Sequence, residues 1–394
     1  MKRLLVFVLA GFALSAAAQP FSKTYLMSFH VCDASCMGFQ DHITQLAESN
    51  DGLNWTLVPN FPAYSASVPD IITRGNKAYI FSPGKVRRYD NGTGQWDATP
   101  QNVSIIDSVS AQASYVDPSA IIDSSGNIVL FFLNATGITG DPAGCSNYPC
   151  TKYFDSATEI PGSDGTQFVK NSGHRISVTL TQSPQTGSDP DIFFDGTKYV
   201  LYVSQGPSTL AASCSSLHGT YSVFPNLPAG VLVQNIGGIP CGHYDASSNQ
   251  YWTFVHSNVG NSVEIRRAAH SDFNTQLTSF TTVISGPVIG EPASTKTESP
   301  GFCVNTLLTA IHEQAVSQLP PAFPNPGDEQ VTVNFGRNIS KGVLSLYDQH
   351  GKLLRQNPVS GNEAIILKND LAAGLYFIQL QTGQYLLCGK LAFR

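Results

Sequence analysis

Val116-Asp117-Pro118-Ser119-Ala120-Ile121, then Gly126, then Ile128-Val129-Leu130-Phe131-Phe132: this stretch decides the fold, because the chain repeats its shape. Ser67-Val68-Pro69-Asp70-Ile71-Ile72 is followed by Gly75 and Lys77-Ala78-Tyr79-Ile80-Phe81-Ser82. Ser188-Asp189-Pro190-Asp191-Ile192-Phe193 is followed by Asp195-Gly196 and a run ending Tyr202-Val203-Ser204. Ile239-Pro240-Cys241-Gly242 is followed by Asp245, Asn249 and Tyr251-Trp252-Thr253-Phe254. Each unit has a proline opening a short apolar strand, a turn rich in Gly, Asp or Asn, and an aromatic, β-branched strand. That is a β-hairpin signature. Proline fits the first residue of a strand, where no ladder donor is needed.

The prolines step by 49, 72 and 50 residues. Units of about 40–50 residues with four strands are the signature of propeller blades. A fifth unit starts at Ser299-Pro300-Gly301-Phe302, and then the repeat ends. Its missing strands are expected from the N-terminal side, where Tyr25-Leu26-Met27-Ser28-Phe29 suits a second strand and residues 42–49 a third. Such a closure removes the open sheet edges. The expectation is an all-β chain with a five-bladed β-propeller over residues 22–312. Asp51-Gly52-Leu53-Asn54-Trp55 resembles the Ser-x-Asp-x-Gly-x-x-Trp turn of sialidase-like propellers, one spacer short, which bears on folding and not on chemistry.

Composition agrees. Gly (34) and Pro (24) are frequent among 394 residues, and charged residues are 13%, about half the usual share. The net charge is −6, with no basic block, so nucleic acid is not expected as a partner. Lys2-Arg3, an apolar run from Leu4 to Leu14 and Ala16-Ala17-Ala18 read as a secretory signal over residues 1–18. No later segment is long and apolar enough to span a membrane. All eight cysteines follow the signal, and an even count in an exported chain points to disulfides. Cys32/Cys36 and Cys145/Cys150 are close enough to staple loops, Cys214/Cys241 is a candidate third pair, and Cys303 and Cys388 are expected to be free. Neither close pair has a histidine at zinc-ligand spacing, so no metal or other cofactor is expected.

After a Pro-rich junction (residues 313–321) the pattern changes to alternating strands, which fits a small Ig-like β-sandwich. Pro324-Asn325-Pro326, Leu346-Tyr347-Asp348 with Gly351-Lys352, Leu371-Ala372-Ala373-Gly374-Leu375-Tyr376 and the terminal Gly389-Lys390-Leu391 occur in order. On these motifs residues 322–394 resemble the type A C-terminal sorting domain of the bacterial type IX secretion system. The resemblance implies recognition by the outer-membrane translocon, passage through the periplasm, and release or attachment at the cell surface.

Asp-Pro at strand starts on five blades also resembles glycosidases of the arabinanase, xylosidase and invertase type. The resemblance implies two Asp and one Glu at the innermost strand starts, facing a central funnel and an extracellular carbohydrate. One carboxyl must stay protonated and another ionised, so their environments must differ. On this reading Asp70 is the base, Asp117 or Asp189 tunes its pKa, and Glu298, in Glu-Ser-Pro, is the acid. Asp191, His243 and Arg87 are candidates for binding sugar hydroxyls. The family places its Glu in an earlier blade, and Asp before Pro is also a common turn former. The alternative is a non-catalytic glycan- or protein-binding propeller.

Overall fold

A computed structural model describes residues 21–394, apart from 34, 35, 37, 108–110, 139, 261, 309–316, 319–321, 323, 350, 351 and 383–385. The expected signal and most of the expected linker lie outside the described residues. The chain divides into two compact units, residues 1–309 and 310–394. Among the described residues the regular structure is strand, with three short 3₁₀ turns. No helix there is long and apolar enough to cross a membrane.

The first unit contains five sheets. Their first strands are Asp70–Arg74, Tyr115–Ile122, Ser188–Phe194, Gly238–Asp245 and Lys296–Val304. Each touches the next, and the last touches the first, so the five form a closed inner ring. The last sheet is completed from the other end of the unit. Lys296–Val304 pairs with Tyr25–Cys32, which pairs with Ile43–Ser49. The 72-residue proline step is taken up by the long loop before Cys150–Glu159 and by the extra strands of the second of these sheets.

Hydrophobic periodicity explains the ring. Strand Ile128–Asn134 is apolar up to its last residue, because it is covered on both faces. Ile128, Leu130 and Phe132 pack with Tyr79 and Phe81 of the preceding sheet. Val129, Phe131 and Leu133 pack with Leu201 and Val203 of the following one. Three further cores fill the remaining gaps between sheets, the last joining Met27 and Phe29 to Trp252 and Phe254. Strand Ile176–Leu180, farther out, alternates buried and exposed residues.

Each inner strand carries the same backbone device at or near its start. Val68, Asp117, Asp189, Ile239 and Ser299 each precede a proline and have positive φ, between 42° and 56°. For β-branched Val68 and Ile239 that is a costly conformation, so the ring must enforce it. Register shifts fall at this joint in the second to fifth of these strands.

At the first three of these joints the residue after the proline links neighbouring sheets. Ala120 N–H donates to Asp70 Oδ2 (2.6 Å), Ile192 N–H to Ser119 Oγ (3.1 Å) and Gly242 N–H to Asp191 Oδ2 (2.7 Å). The fifth position is Gly301, where a Cβ would lie 2.5 Å from Asp70 Oδ1 and 2.7 Å from the Pro69 carbonyl oxygen.

Two disulfides form as expected, Cys32–Cys36 and Cys145–Cys150. The expected Cys214–Cys241 bridge does not form. Cys214 ends the third strand of its sheet, whereas Cys241 is buried on the innermost strand of the next, so they sit at different distances from the ring centre. Cys303 and Cys388 are also unpaired.

In the second unit five strands form one sheet, in the order Ser317–Gln318, Leu386–Phe393, Gly374–Thr382, Gln330–Tyr347, Leu353–Leu367. The expected division into two sandwiched sheets is not seen in the hydrogen bonding. The 18-residue strand Gln330–Tyr347 is broken by register shifts between Asn334 and Gly342. Its two halves send Val331, Val333, Leu344 and Leu346 into one core with Tyr376, Leu380 and Phe393.

Candidate active site

The five left-handed residues do more than start strands. All of them line one cavity of about 480 Å³ in the first unit. Asp117 and Asp189 are on its floor, Glu298 stands beside Ser299, and His30, His42 and Phe39 form part of the wall. The repeat thus brings the first residues of distant segments to one place.

Asp117 and Asp189 are adjacent. The Asp189 N–H donates to Asp117 Oδ2 at 3.2 Å. Burial raises the Asp117 carboxyl well above its usual value, and the neighbouring Asp189 and Asp141 charges add to that. Asp189 is pushed up to about 6 by burial, with Glu298 contributing in the same direction. Two close buried carboxyls cannot both ionise cheaply, so the pair retains a proton near neutrality.

Glu298 goes the other way. Burial opposes its ionisation, but the His30 contact and the nearby His256 and His42 rings outweigh it, and its pKa falls below normal. The geometry gives the reason. Val68 N–H donates to His30 Nδ1 (3.3 Å), so a neutral His30 ring carries its proton on Nε2. That nitrogen lies 3.4 Å from Glu298 Oε2. His30 is 1% exposed and stacks on His42 at a centroid distance of 3.9 Å. Burial pushes His42 down to about 4 and also lowers His256, so both rings are neutral at pH 7. At that pH the His30 contact is what favours the Glu298 carboxylate.

The other sequence candidates are elsewhere. Asp70 and Asp191 lie two residues past the cavity-lining Val68 and Asp189, around a hollow of only about 30 Å³, too small for a sugar ring. Their Oδ2 atoms are the inter-sheet links described above. His243 sits among Tyr25, Trp252 and Phe302, with centroids 4.6 Å apart for the Phe302 pair. Arg87 is buried, donating to the Pro62 carbonyl (2.5 Å) over the Tyr64 ring. Neither lines the cavity. Sequence reasoning missed His30, His42, His256 and Phe39. None stands in a recognisable motif, and His30 is one position in an otherwise ordinary strand.

No curated protein matches the sequence significantly. Among solved structures, the endo-1,4-beta-xylanase of Bacteroides thetaiotaomicron is 12% identical, with 65% of this chain and 90% of that one covered and a TM-score of 0.43. A GH43_1 enzyme from Xanthomonas citri is 15% identical over 65% and 90%, TM-score 0.40. The endo-1,5-alpha-L-arabinanase of Thermotoga petrophila is 14% identical over 84% of each chain, TM-score 0.38. A likeness this distant transfers no catalytic residue to this chain. The tail is different. Residues 321–393 match the family described as the secretion system C-terminal sorting domain, within one residue of the boundary expected from the motifs. Residues 321–393 are a type IX secretion sorting domain, and they mark the chain for export.

Proposed function

We propose that the five-sheet unit is a five-bladed propeller that hydrolyses an extracellular glycan in this cavity. The observation that supports it is the opposed tuning of carboxyls lining one cavity: Asp117 and Asp189 raised, Glu298 lowered. Glycosidic bond cleavage needs one protonated carboxyl for the leaving oxygen and one carboxylate for the sugar carbon or for water. The Asp117–Asp189 pair supplies the proton. Glu298, whose Oε2 lies 3.4 Å from His30 Nε2, supplies the carboxylate. These roles reverse the expectation from sequence, in which Glu298 was the acid and Asp70 the base. Asp70 and Asp191 serve the scaffold, and Phe39, 76% exposed at the wall, offers a flat apolar face to a sugar ring.

The test is release of reducing ends from a panel of plant and microbial polysaccharides by the wild type, D117N and E298Q. Turnover by the wild type, falling about 10²-fold or more in each variant, supports the reading. Saturable glycan binding without turnover would make the unit a binding propeller instead.

A further inference from the structure

His42 of the cavity wall belongs to a second constellation, which does not depend on glycan hydrolysis. Strand Tyr25–Cys32 ends at Cys32, opposite Lys296. The chain then passes Cys36 and makes a 3₁₀ turn, Phe39–Asp41, before His42. That turn returns the chain on itself. One donor atom each from Cys32, Cys36 and His42 lie within 4.8 Å of one another. Linear spacing concealed this, because the histidine is brought in by the turn. The His42 ring is held by a 2.8 Å hydrogen bond between Nδ1 and Ser67 Oγ, which leaves Nε2 as its free donor. An oriented imidazole with its other nitrogen engaged is the usual form of a metal-ligating histidine.

We propose that Cys32, Cys36 and His42 form a redox-gated site for a soft divalent cation such as Zn²⁺. In the oxidised protein the two sulfurs are joined and offer no thiolate. One dithiol reductant opens the bond, giving two electrons and two protons to the sulfurs and closing to its own disulfide. The metal then displaces the two thiol protons to solvent and is held by two thiolates and one imidazole. Thiolate and imidazole ligands select Zn²⁺ or Cd²⁺ over Ca²⁺ and Mg²⁺. Three protein ligands leave a fourth position for water. The Cys145–Cys150 pair has no third ligand converging on it among the described residues.

The experiment is a Cd²⁺ titration of the full chain, read by thiolate-to-metal charge-transfer absorbance, before and after dithiol treatment and desalting under argon. The four thiols that are free in both states cancel in the comparison. The reduced wild type is expected to bind one more Cd²⁺ than the oxidised protein. The C145S/C150S variant should keep that gain and C32S/C36S should lose it. H42A, with its thiols unchanged, should bind at least about 10-fold more weakly. No gain on reduction, a gain that persists in C32S/C36S, or an H42A affinity equal to wild type would each overturn the proposal. The wild-type and H42A comparison decides the matter even if the cysteine variants fold poorly.

Discussion

Replacing Asp191 with asparagine tests the inter-sheet links and their charge. Asp191 is buried, and burial pushes its carboxyl up to about 7 from the ordinary 3.8, although the Gly242 N–H, Cys241 and Ser119 all favour the ionised form. Its charge in turn raises Asp70. A raised carboxyl pKa means the folded state binds its proton more tightly than the unfolded chain does. The associated stability is therefore complete below about pH 4 and is lost as pH rises to about 7. A difference of about 3 units corresponds to about 4 kcal/mol. Asparagine keeps an acceptor for the Gly242 N–H and carries no charge. It should cost about 1 kcal/mol at pH 4, from the altered Ser119 contact, and gain about 3 kcal/mol over wild type at pH 8. Guanidinium unfolding followed by tryptophan fluorescence reads this cleanly, because Trp55, Trp96 and Trp252 are all in the first unit. Stability curves of wild type and D191N that run parallel from pH 4 to 8 would refute the reasoning.

Other consequences are as concrete. Gly301→Ala places a methyl 2.5 Å from Asp70 Oδ1 and against the Pro69 backbone, so it should destabilise the first unit by about 2 kcal/mol in the same unfolding assay. Glycan hydrolysis should decline on the alkaline side only where the Asp117–Asp189 pair gives up its last proton, above the pH of about 6 at which Asp189 ionises, and the acid limb should lie below the ordinary Glu value of 4.5 because Glu298 is lowered. A pH–rate profile checks both limbs. Thiol titration of the denatured, unreduced chain should count four groups of the eight cysteines; a count of two would restore the Cys214–Cys241 bridge. Deleting residues 321–394 should leave the protein in the periplasm, read by cell fractionation.

The fold was legible because its periodicities are physical necessities. A strand covered on both faces must be apolar over its covered length, as residues 128–133 are, whereas the prolines expected to open strands sit inside them at register shifts, as Pro118 and Pro190 do. The closure by Tyr25–Cys32 was also visible, since Lys296–Val304 had no downstream partner in sequence. The candidate site was half legible. Asp117, Asp189 and Glu298, which line the cavity, were named from the sequence because they flank the proline joints. The roles were not, because they depend on what surrounds each carboxyl. His30 meets Glu298 only across the pairing of two strands more than 260 positions apart in the chain, and nothing in linear order announces it. Asp70 resembled Asp117 in sequence but stands on the other side of its proline, which turns it from the cavity into the joint between sheets. Cys214 and Cys241 were paired by spacing, which carries no information about radial position.

The most direct measurement of the central claim needs no substrate. Difference infrared spectra across pH 4 to 8 resolve the C=O stretch of protonated carboxyls. D117N and D189N should each alter a band that titrates near pH 6, and E298Q should remove only carboxylate absorption at pH 5. If E298Q instead abolished a protonated band at pH 5 while D117N and D189N left the spectrum unchanged, the assignment of proton donor and carboxylate in this cavity would be contradicted.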